Sequence, residues 1–321
     1  MSYLILSIGL LLLLIGAHYL IENIIDLAKK LNVSQFIIAT CTIAIGTSLP
    51  ELGATIKSVT ANYTGIAVGN LIGSNIANIF LVIGLSSMIY PTKAFTDTSE
   101  NVLNIEVIAG VFIFLFPAII FFLKLNSSES ILVSLIAIML FLYFFRERLR
   151  LEKINKIKKK EIKETTFFLI LKNIFFLIML IYGSHLLIDK TVELAQIFNI
   201  SERVIGLSLV AIGTSLPELT ICIIAAFKQK QGIALGTVLG SNMYNILVML
   251  SLVEIYENIY RNNGAILENV KPSDMIFLLL STLLLFIFYI YPKKKPKIID
   301  RQEGSILFAI YIVYIYLIYT T

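Results

Sequence analysis

Apolar positions in this chain fall in long unbroken runs rather than in an alternating pattern. Leu10 to Ile15 and Ile276 to Ile290 are examples. A helix crossing a bilayer needs about 20 mainly apolar residues, because the hydrocarbon core is roughly 30 Å thick and the rise is about 1.5 Å per residue. Runs of that kind predict ten spans, at 3–25, 35–60, 66–90, 102–123, 129–146, 165–188, 203–227, 233–255, 272–291 and 303–320. A membrane barrel would alternate polar and apolar residues, so the spans are expected to be helices. The first run has no basic segment ahead of it and no small-residue cleavage pattern after it. It is therefore read as a retained span and not as a signal peptide.

Composition points the same way. Of 321 residues, 58% are hydrophobic and 15% charged, and the mean hydropathy is +0.88. Soluble domains are roughly half apolar and a quarter charged. A soluble enzyme, a nucleic-acid binder and a disordered protein are thereby excluded. The two cysteines, Cys41 and Cys222, sit in apolar runs and are not equivalent in the repeat described below. They suggest core packing rather than a disulfide framework or a soft-metal site.

The net charge of +5 matters less than where the basic residues lie, which sets orientation. Nine fall within Arg146–Lys163. With that segment inside, the inside loops hold 19 basic residues and the outside loops six: Lys57, Lys124, Lys190, Arg203, Arg261 and Lys271. The expectation is a plasma-membrane protein with both termini outside and a solvated cytoplasmic linker at 147–164.

Self-comparison changes the picture most. At a shift of 167 residues, Ala44–Ile79 aligns with Ala211–Ile246 without a gap, and 19 of 36 positions are identical. Shared strings are AIGTSLPEL (Ala44–Leu52, Ala211–Leu219), GIA (Gly65–Ala67, Gly232–Ala234) and GSN (Gly73–Asn75, Gly240–Asn242); Asn78 matches Asn245, and His18 matches His185. The unit is five spans long. An odd number obliges the second copy to enter the membrane from the opposite side, so the halves are expected to be inverted repeats. The predicted organisation is a first repeat at 1–146, the basic linker at 147–164 and a second repeat at 165–321. The fold class is an all-α polytopic membrane protein of ten helices, with helices 2, 3, 7 and 8 broken at its core.

Each GTSLPE string lies mid-span. Pro50 and Pro217 lack an N–H, so the helix should break near Gly46–Thr47 and its counterpart, freeing carbonyls near Ala44, Thr47, Ala211 and Thr214. Ser48 with Glu51, and Ser215 with Glu218, have capping-box spacing and could merely restart a helix. Against that, a carboxylate in lipid is costly, and here the same acid occurs at the same depth in both halves. The third span of each half carries glycines at four-residue spacing: Gly65, Gly69, Gly73 and Gly232, Gly236, Gly240. These allow close helix packing, which would bring Ser74 and Asn78, or Ser241 and Asn245, toward the broken helix. The collected donors are oxygens: two glutamates, hydroxyls of Thr47, Ser48, Thr214, Ser215, Ser74 and Ser241, and the amides of Asn78 and Asn245. Such a set suits hard cations such as Ca²⁺ or Na⁺.

The paired GTSLPE and GSN strings resemble the two α-repeats of the sodium/calcium exchanger family, within the cation/calcium antiporter superfamily. The resemblance implies that Ca²⁺ binds Glu51, Glu218 and the carbonyls of Thr47 and Thr214. It implies flanking sodium sites, one at Ala44, Thr47, Ser48 and Ser74, the other at Ala211, Thr214, Ser215 and Ser241, with Asn78 and Asn245 completing a central diamond. It further implies Na⁺/Ca²⁺ antiport by alternating access, about three Na⁺ per Ca²⁺, with the first and sixth spans as sliding gates. Many relatives carry aspartate at one of the positions matching Asn78 and Asn245. Asparagine at both lowers the site charge and argues against K⁺ coupling.

The rival reading is a Ca²⁺/H⁺ antiporter using the same glutamates. A channel would build its pore from several subunits, whereas this chain holds its paired units within itself, so a monomer is the expected functional unit. No P-loop is present, no enzyme activity is expected, and no cofactor beyond the transported ions. His18, His185 and Glu106 near helix ends are read as structural or water-facing.

Overall fold

Long apolar runs become helices here because only internal hydrogen bonding satisfies the backbone in lipid. The computed structural model describes residues 2–31, 33–60, 64–93, 100–123, 125–152, 164–197, 211–260, 266, 270–290 and 298–320. The first half contains α1 (Ser2–Leu31), α2 (Gln35–Ile38), a π segment (Ala39–Ile43), α3 (Ala44–Thr47), α4 (Leu49–Thr60) and α5 (Thr64–Ala77). A second π segment (Asn78–Ile83), α6 (Gly84–Ile89), β1 (Thr92–Lys93), α7 (Glu100–Leu123) and α8 (Ser127–Glu152) complete it. The second half contains α9 (Thr166–Ile197), α10 (Ala211–Thr214), α11 (Leu216–Phe227), α12 (Gln231–Met243) and a π segment (Tyr244–Leu250). It ends with α13 (Ser251–Tyr260), α14 (Pro272–Ile290), β2 (Ile298–Ile299) and α15 (Arg301–Thr320).

Among the described residues, seven helical runs are long and apolar enough to cross a membrane: Ser7–Leu31, Gln35–Thr60, Thr64–Ile89, Ser127–Arg150, Thr166–Leu186, Gln231–Tyr260 and Arg301–Ile318. Three shorter apolar helices accompany them, Ile108–Leu123, Leu216–Phe227 and Pro272–Phe288. The protein is therefore an all-helical, multi-pass membrane protein. Among the described residues, the departure from all-α is the strand pair, antiparallel with Thr92 opposite Ile299. Two residues per strand are enough to tie two loops together and no more.

Burial separates an inner from an outer layer. The Thr64–Ile89 and Gln231–Tyr260 runs are 89% and 83% buried, whereas Thr166–Leu186 is 22% buried. On α9 the side chains of Phe167, Phe168, Phe175, Ile178 and Tyr182 face outward, as lipid contact requires. The α1 and α9 helices cross at Gly16 and Gly183, which are equivalent under the 167-residue shift. A Cβ on Gly183 would lie 2.7 Å from the Gly9 carbonyl, and one on Gly16 would lie 3.0 Å from Leu180 N. The glycines thus set the crossing distance.

One local expectation is corrected. Arg148 belongs to the stretch expected to be a solvated linker, but α8 runs on to Glu152 and Arg148 is buried, its Nη2 2.7 Å from Met243 Sδ. A guanidinium on a long stem can reach inward while its backbone belongs to a helix end. A Cβ added at Gly236 or Gly240 would meet Phe36, Ala39, Thr40 and Ala44, with closest approaches of 2.6 and 2.5 Å, while Gly65 and Gly69 have no described atom within 4 Å of that position. Close packing is realised by α12 on the first half; the matching neighbours expected for α5, at 203–210, lie outside the described residues.

Candidate ion-binding site

The site forms where the two broken spans meet the Thr64–Ile89 and Gln231–Tyr260 spans, which were expected to be broken but run on continuously through their π segments. The helix break lies at Ser48 (φ −83°, ψ 6°) and at Ser215 (φ −88°, ψ 6°), one residue later than expected. Proline removes the N–H that would bond the carbonyl four residues earlier, which for Pro50 is Gly46 and not Ala44. The Ala44 carbonyl is accordingly not freed: it accepts from Ser48 N at 3.1 Å, and Ser241 Oγ lies 3.3 Å from it.

The serines do not cap their own helices. Ser215 makes no capping bond, and its hydroxyl donates to Glu51 Oε1 at 3.5 Å. Ser48 Oγ donates to Ser241 Oγ at 3.0 Å, and Ser241 Oγ in turn donates to Glu218 Oε1 at 3.0 Å. Ser74 Oγ lies 3.5 Å from Thr214 Oγ1. Apart from the Ser241–Glu218 bond, these contacts cross between the halves. The resemblance groups Ser74 with Ala44, Thr47 and Ser48; the hydrogen bonds group Ser241 with Ala44 and Ser48, and Ser74 with Thr214. The close approach of α12 to the Gln35–Thr47 region carries Ser241 there.

Thr47 turns back on its own helix, with Oγ1 3.1 Å from the Ile43 carbonyl. Asn78 Nδ2 donates to Asn242 Oδ1 at 3.0 Å. Ala44, Thr47, Ser48, Glu51, Ser74, Asn78, Glu218, Ser241 and Asn245 are all fully buried, and Ser215 and Thr214 nearly so. Ala211 begins α10; its side chain lies outside those described.

Four oxygens in this set have no hydrogen-bond partner among the described residues: Glu51 Oε2, Glu218 Oε2, Asn78 Oδ1 and Asn245 Oδ1. Buried polar atoms are normally satisfied, and an unsatisfied buried acid is among the costliest groups a fold can hold. A cluster of open oxygens, two of them on acids, fits a hard cation. Among the described residues no group of three His, Cys, Asp or Glu side chains could hold a metal, so the site is one of mixed hydroxyl, amide and carboxyl oxygens.

Motif spacing alone misses Asn70 and Thr237. Thr214 Oγ1 donates to Asn70 Oδ1 at 3.3 Å, and Thr237 is fully buried with an unpartnered hydroxyl. A signal for them exists: Asn70, Ser74 and Asn78 are four apart and share a face, as do Thr237, Ser241 and Asn245. The expected packing role of Cys222 agrees with its burial and its contact to the Ala234 carbonyl at 3.4 Å. His18 and His185 are exposed, and His18 Nε2 lies 3.4 Å from both Glu22 Oε1 and Lys228 Nζ. Glu106 is on α7, with its side chain outside those described.

A family profile described as sodium/calcium exchanger protein matches residues 1–146 and 168–320. The chain belongs to the sodium/calcium exchanger family. It is 33% identical to an uncharacterized membrane protein of Methanocaldococcus jannaschii over 308 residues, covering 95% of this chain and 94% of that one. It is 29% identical to the sodium/calcium exchanger MaX1 of Methanosarcina acetivorans over 364 aligned positions, covering 99% and 98%. Among solved structures, the sodium-calcium exchanger NCX_Mj soaked with Na⁺ and Sr²⁺ superposes with a TM-score of 0.81 at 30% identity, covering 98% of this chain and 97% of that one. As a member of this family the chain is a prokaryotic-type membrane transporter and not an enzyme. The matched segments leave out 147–167, the stretch that contains the basic linker.

Proposed function

We propose that this chain is an antiporter that exchanges Na⁺ for Ca²⁺, with both ions bound in turn by the buried cage around Glu51 and Glu218. The observation that carries this reading is the set of four buried, unpartnered oxygens on Glu51, Glu218, Asn78 and Asn245. With two ionised carboxylates the cage holds −2, which one Ca²⁺ neutralises. Hydroxyls of Thr47, Ser48, Ser74, Thr214, Ser215 and Ser241, with the backbone at Ala44 and Ala211, supply the remaining coordination and the flanking sodium sites. About three Na⁺ per Ca²⁺ is the stoichiometry proposed by family. The deciding experiment is ⁴⁵Ca²⁺ uptake into vesicles loaded with Na⁺, compared with vesicles carrying only a proton gradient. Uptake driven by protons alone would turn the reading into Ca²⁺/H⁺ antiport.

Ten crossings in two inverted five-helix repeats, 1–146 and 165–321, are part of the proposal. The seven long and three shorter apolar helices supply enough spans. Contacts among loop ends support the alternation. Thr64 Oγ1 donates to Glu257 Oε1 at 2.6 Å, and Ser130 Oγ donates to Glu254, grouping one set of span ends. The β1–β2 pair and the Lys228–Glu22 bridge at 2.9 Å group the other set. The first set falls on the proposed outer side and the second on the inner side.

Orientation is testable directly. With both termini outside and 147–164 cytoplasmic, a cysteine replacing Ser2 is expected to react with an impermeant thiol reagent in intact cells, and one replacing Lys156 only after permeabilisation. Labelling at Lys156 but not at Ser2 reverses the topology.

K⁺ independence follows from the two asparagines. Many relatives carry aspartate at one of the positions matching Asn78 and Asn245, and the neutral amides here leave a K⁺ co-bound with Ca²⁺ without that anionic partner. Na⁺-driven Ca²⁺ flux is expected at an unchanged rate with choline replacing K⁺ on both sides; absolute dependence on K⁺ contradicts the assignment.

A further inference from the structure

Asn75 and Asn242 close the duplicated GSN strings, and the cage described above uses neither. They stand three residues before Asn78 and Asn245 and so lie on the same helix faces. Asn242 is 2% exposed. Its Oδ1 accepts Asn78 Nδ2 at 3.0 Å, and its own Nδ2 donates to the Asn75 carbonyl at 3.4 Å. The Asn242 amide is thereby held at both ends across the two halves.

The consequence falls on Asn78. A primary amide has two ends of nearly equal shape and opposite polarity, and only the oxygen can face a cation. With its nitrogen bound to Asn242, the Asn78 amide turns its oxygen the other way, and that oxygen is buried without a partner. The pseudo-equivalent arrangement is not made. Asn75 Nδ2 donates to the Leu71 carbonyl of its own helix at 2.7 Å. Asn75 Oδ1 and both amide atoms of Asn245 are buried with no partner among the described residues. Two pairs of matching asparagines are thus bonded differently among the described residues: Asn78 is oriented by a partner, and Asn245 is not.

We propose that Asn242 is a positioning residue for ion exchange: by holding the nitrogen of the Asn78 amide, it presents the Asn78 oxygen to the transported cation. This rests on the reading that Asn78 is a ligand. A carboxylate needs no such help, because either end is an oxygen. An amide ligand does, since a turned amide would set its N–H groups against the cation. Partners that orient a metal ligand are commonly worth about ten- to hundredfold in affinity, on the order of the effect expected here.

The test uses purified full-length protein in Na⁺-loaded proteoliposomes, reading KM for Ca²⁺ and maximal rate separately. Asn242→Leu removes the acceptor at similar size and is expected to raise KM roughly tenfold or more. Asn242→Asp keeps an oxygen for Asn78 Nδ2 but loses the donor to the Asn75 carbonyl, and is expected to raise KM clearly less than Asn242→Leu. Asn78→Leu is expected to raise KM at least as much as Asn242→Leu. If Asn78→Leu raises KM and Asn242→Leu does not, the positioning role is wrong and the ligand survives. If Asn242→Leu and Asn242→Asp weaken Ca²⁺ equally, the hydrogen bond is not the cause and the proposal falls. If Asn78→Leu leaves KM unchanged, Asn78 is not a ligand and both readings fall. Should Asn242→Leu not fold, Asn242→Ala removes the same acceptor without adding bulk and is judged by the same criteria.

Discussion

Glu51→Gln and Glu218→Gln are each expected to reduce Na⁺-driven Ca²⁺ flux at least about a hundredfold, with the protein still inserted and folded. At about 4 Å and an effective dielectric near 20, a pair of unit charges interacts by about 4 kcal/mol, and a divalent cation feels each carboxylate twice as strongly. Glutamine keeps the shape and loses the charge. Both acids are fully buried, each with one oxygen bonded by a serine and one without a partner, so neither has a solvent route to compensation. The expected equality of the two effects is the sharper part. Ser215 of the second half bonds Glu51 of the first, and Ser48 of the first half reaches Glu218 through Ser241. Tracer flux in proteoliposomes decides the matter: near-normal exchange in either variant would mean that the acid is not part of the cage. Empty, the two acids would also repel one another, which would disfavour a switch of sides without cargo and limit uncoupled leak.

Gly240→Ala is expected to lower stability and flux together. Its Cβ would sit 2.5 Å from Ala44 Cβ and 2.6 Å from the Thr40 carbonyl, and neither can yield without moving a helix. Overpacking of this kind costs about 1–3 kcal/mol. Moving α12 away also parts Ser241 from Ser48 and from the Ala44 carbonyl, both contacts of the site. The control is Gly53→Ala, where a Cβ meets nothing within 4 Å on an exposed helix position. There alanine gains up to about 1 kcal/mol of helix propensity. Thermal melts of detergent-solubilised protein are expected to shift down for Gly240→Ala and to hold or rise for Gly53→Ala. Equal melting temperatures would mean that the close approach of α12 is not a constraint.

The linker shows how charge can mislead when read as a string. Arg148 sits in a run of basic residues that pattern alone assigns to solvent, yet it is buried against Met243. A run reports average surroundings, whereas the helical phase of α8 turns individual members of the run inward. The capping-box spacing of GTSLPE misleads in a similar way. S-x-x-E is a real local signal, but a hydroxyl bonds whatever is nearest, and at Ser215 the acid it bonds belongs to the other half.

By itself the sequence determined that the chain is a multi-pass helical membrane protein, because lipid leaves long apolar runs no other way to satisfy their backbone. It also singled out the residues proposed to carry the chemistry. Glu51 and Glu218, with their flanking threonines, serines and asparagines, occur twice at equal depth, and a duplicated acid in an apolar span is costly without a purpose. Asn70 and Thr237 were not singled out, although they stand at the same four-residue spacing. Only the tertiary structure decided how the halves interleave: Ser241 joins Ala44 and Ser48, Ser74 joins Thr214, and Asn242 holds Asn78 while Asn75 holds nothing of Asn245. The reason is that periodicity fixes which face of a helix a residue occupies, but not which helix that face meets or how closely. That is settled by the distance of approach, which at Gly240 brings α12 against Thr40 and Ala44 and so carries Ser241 to the first half.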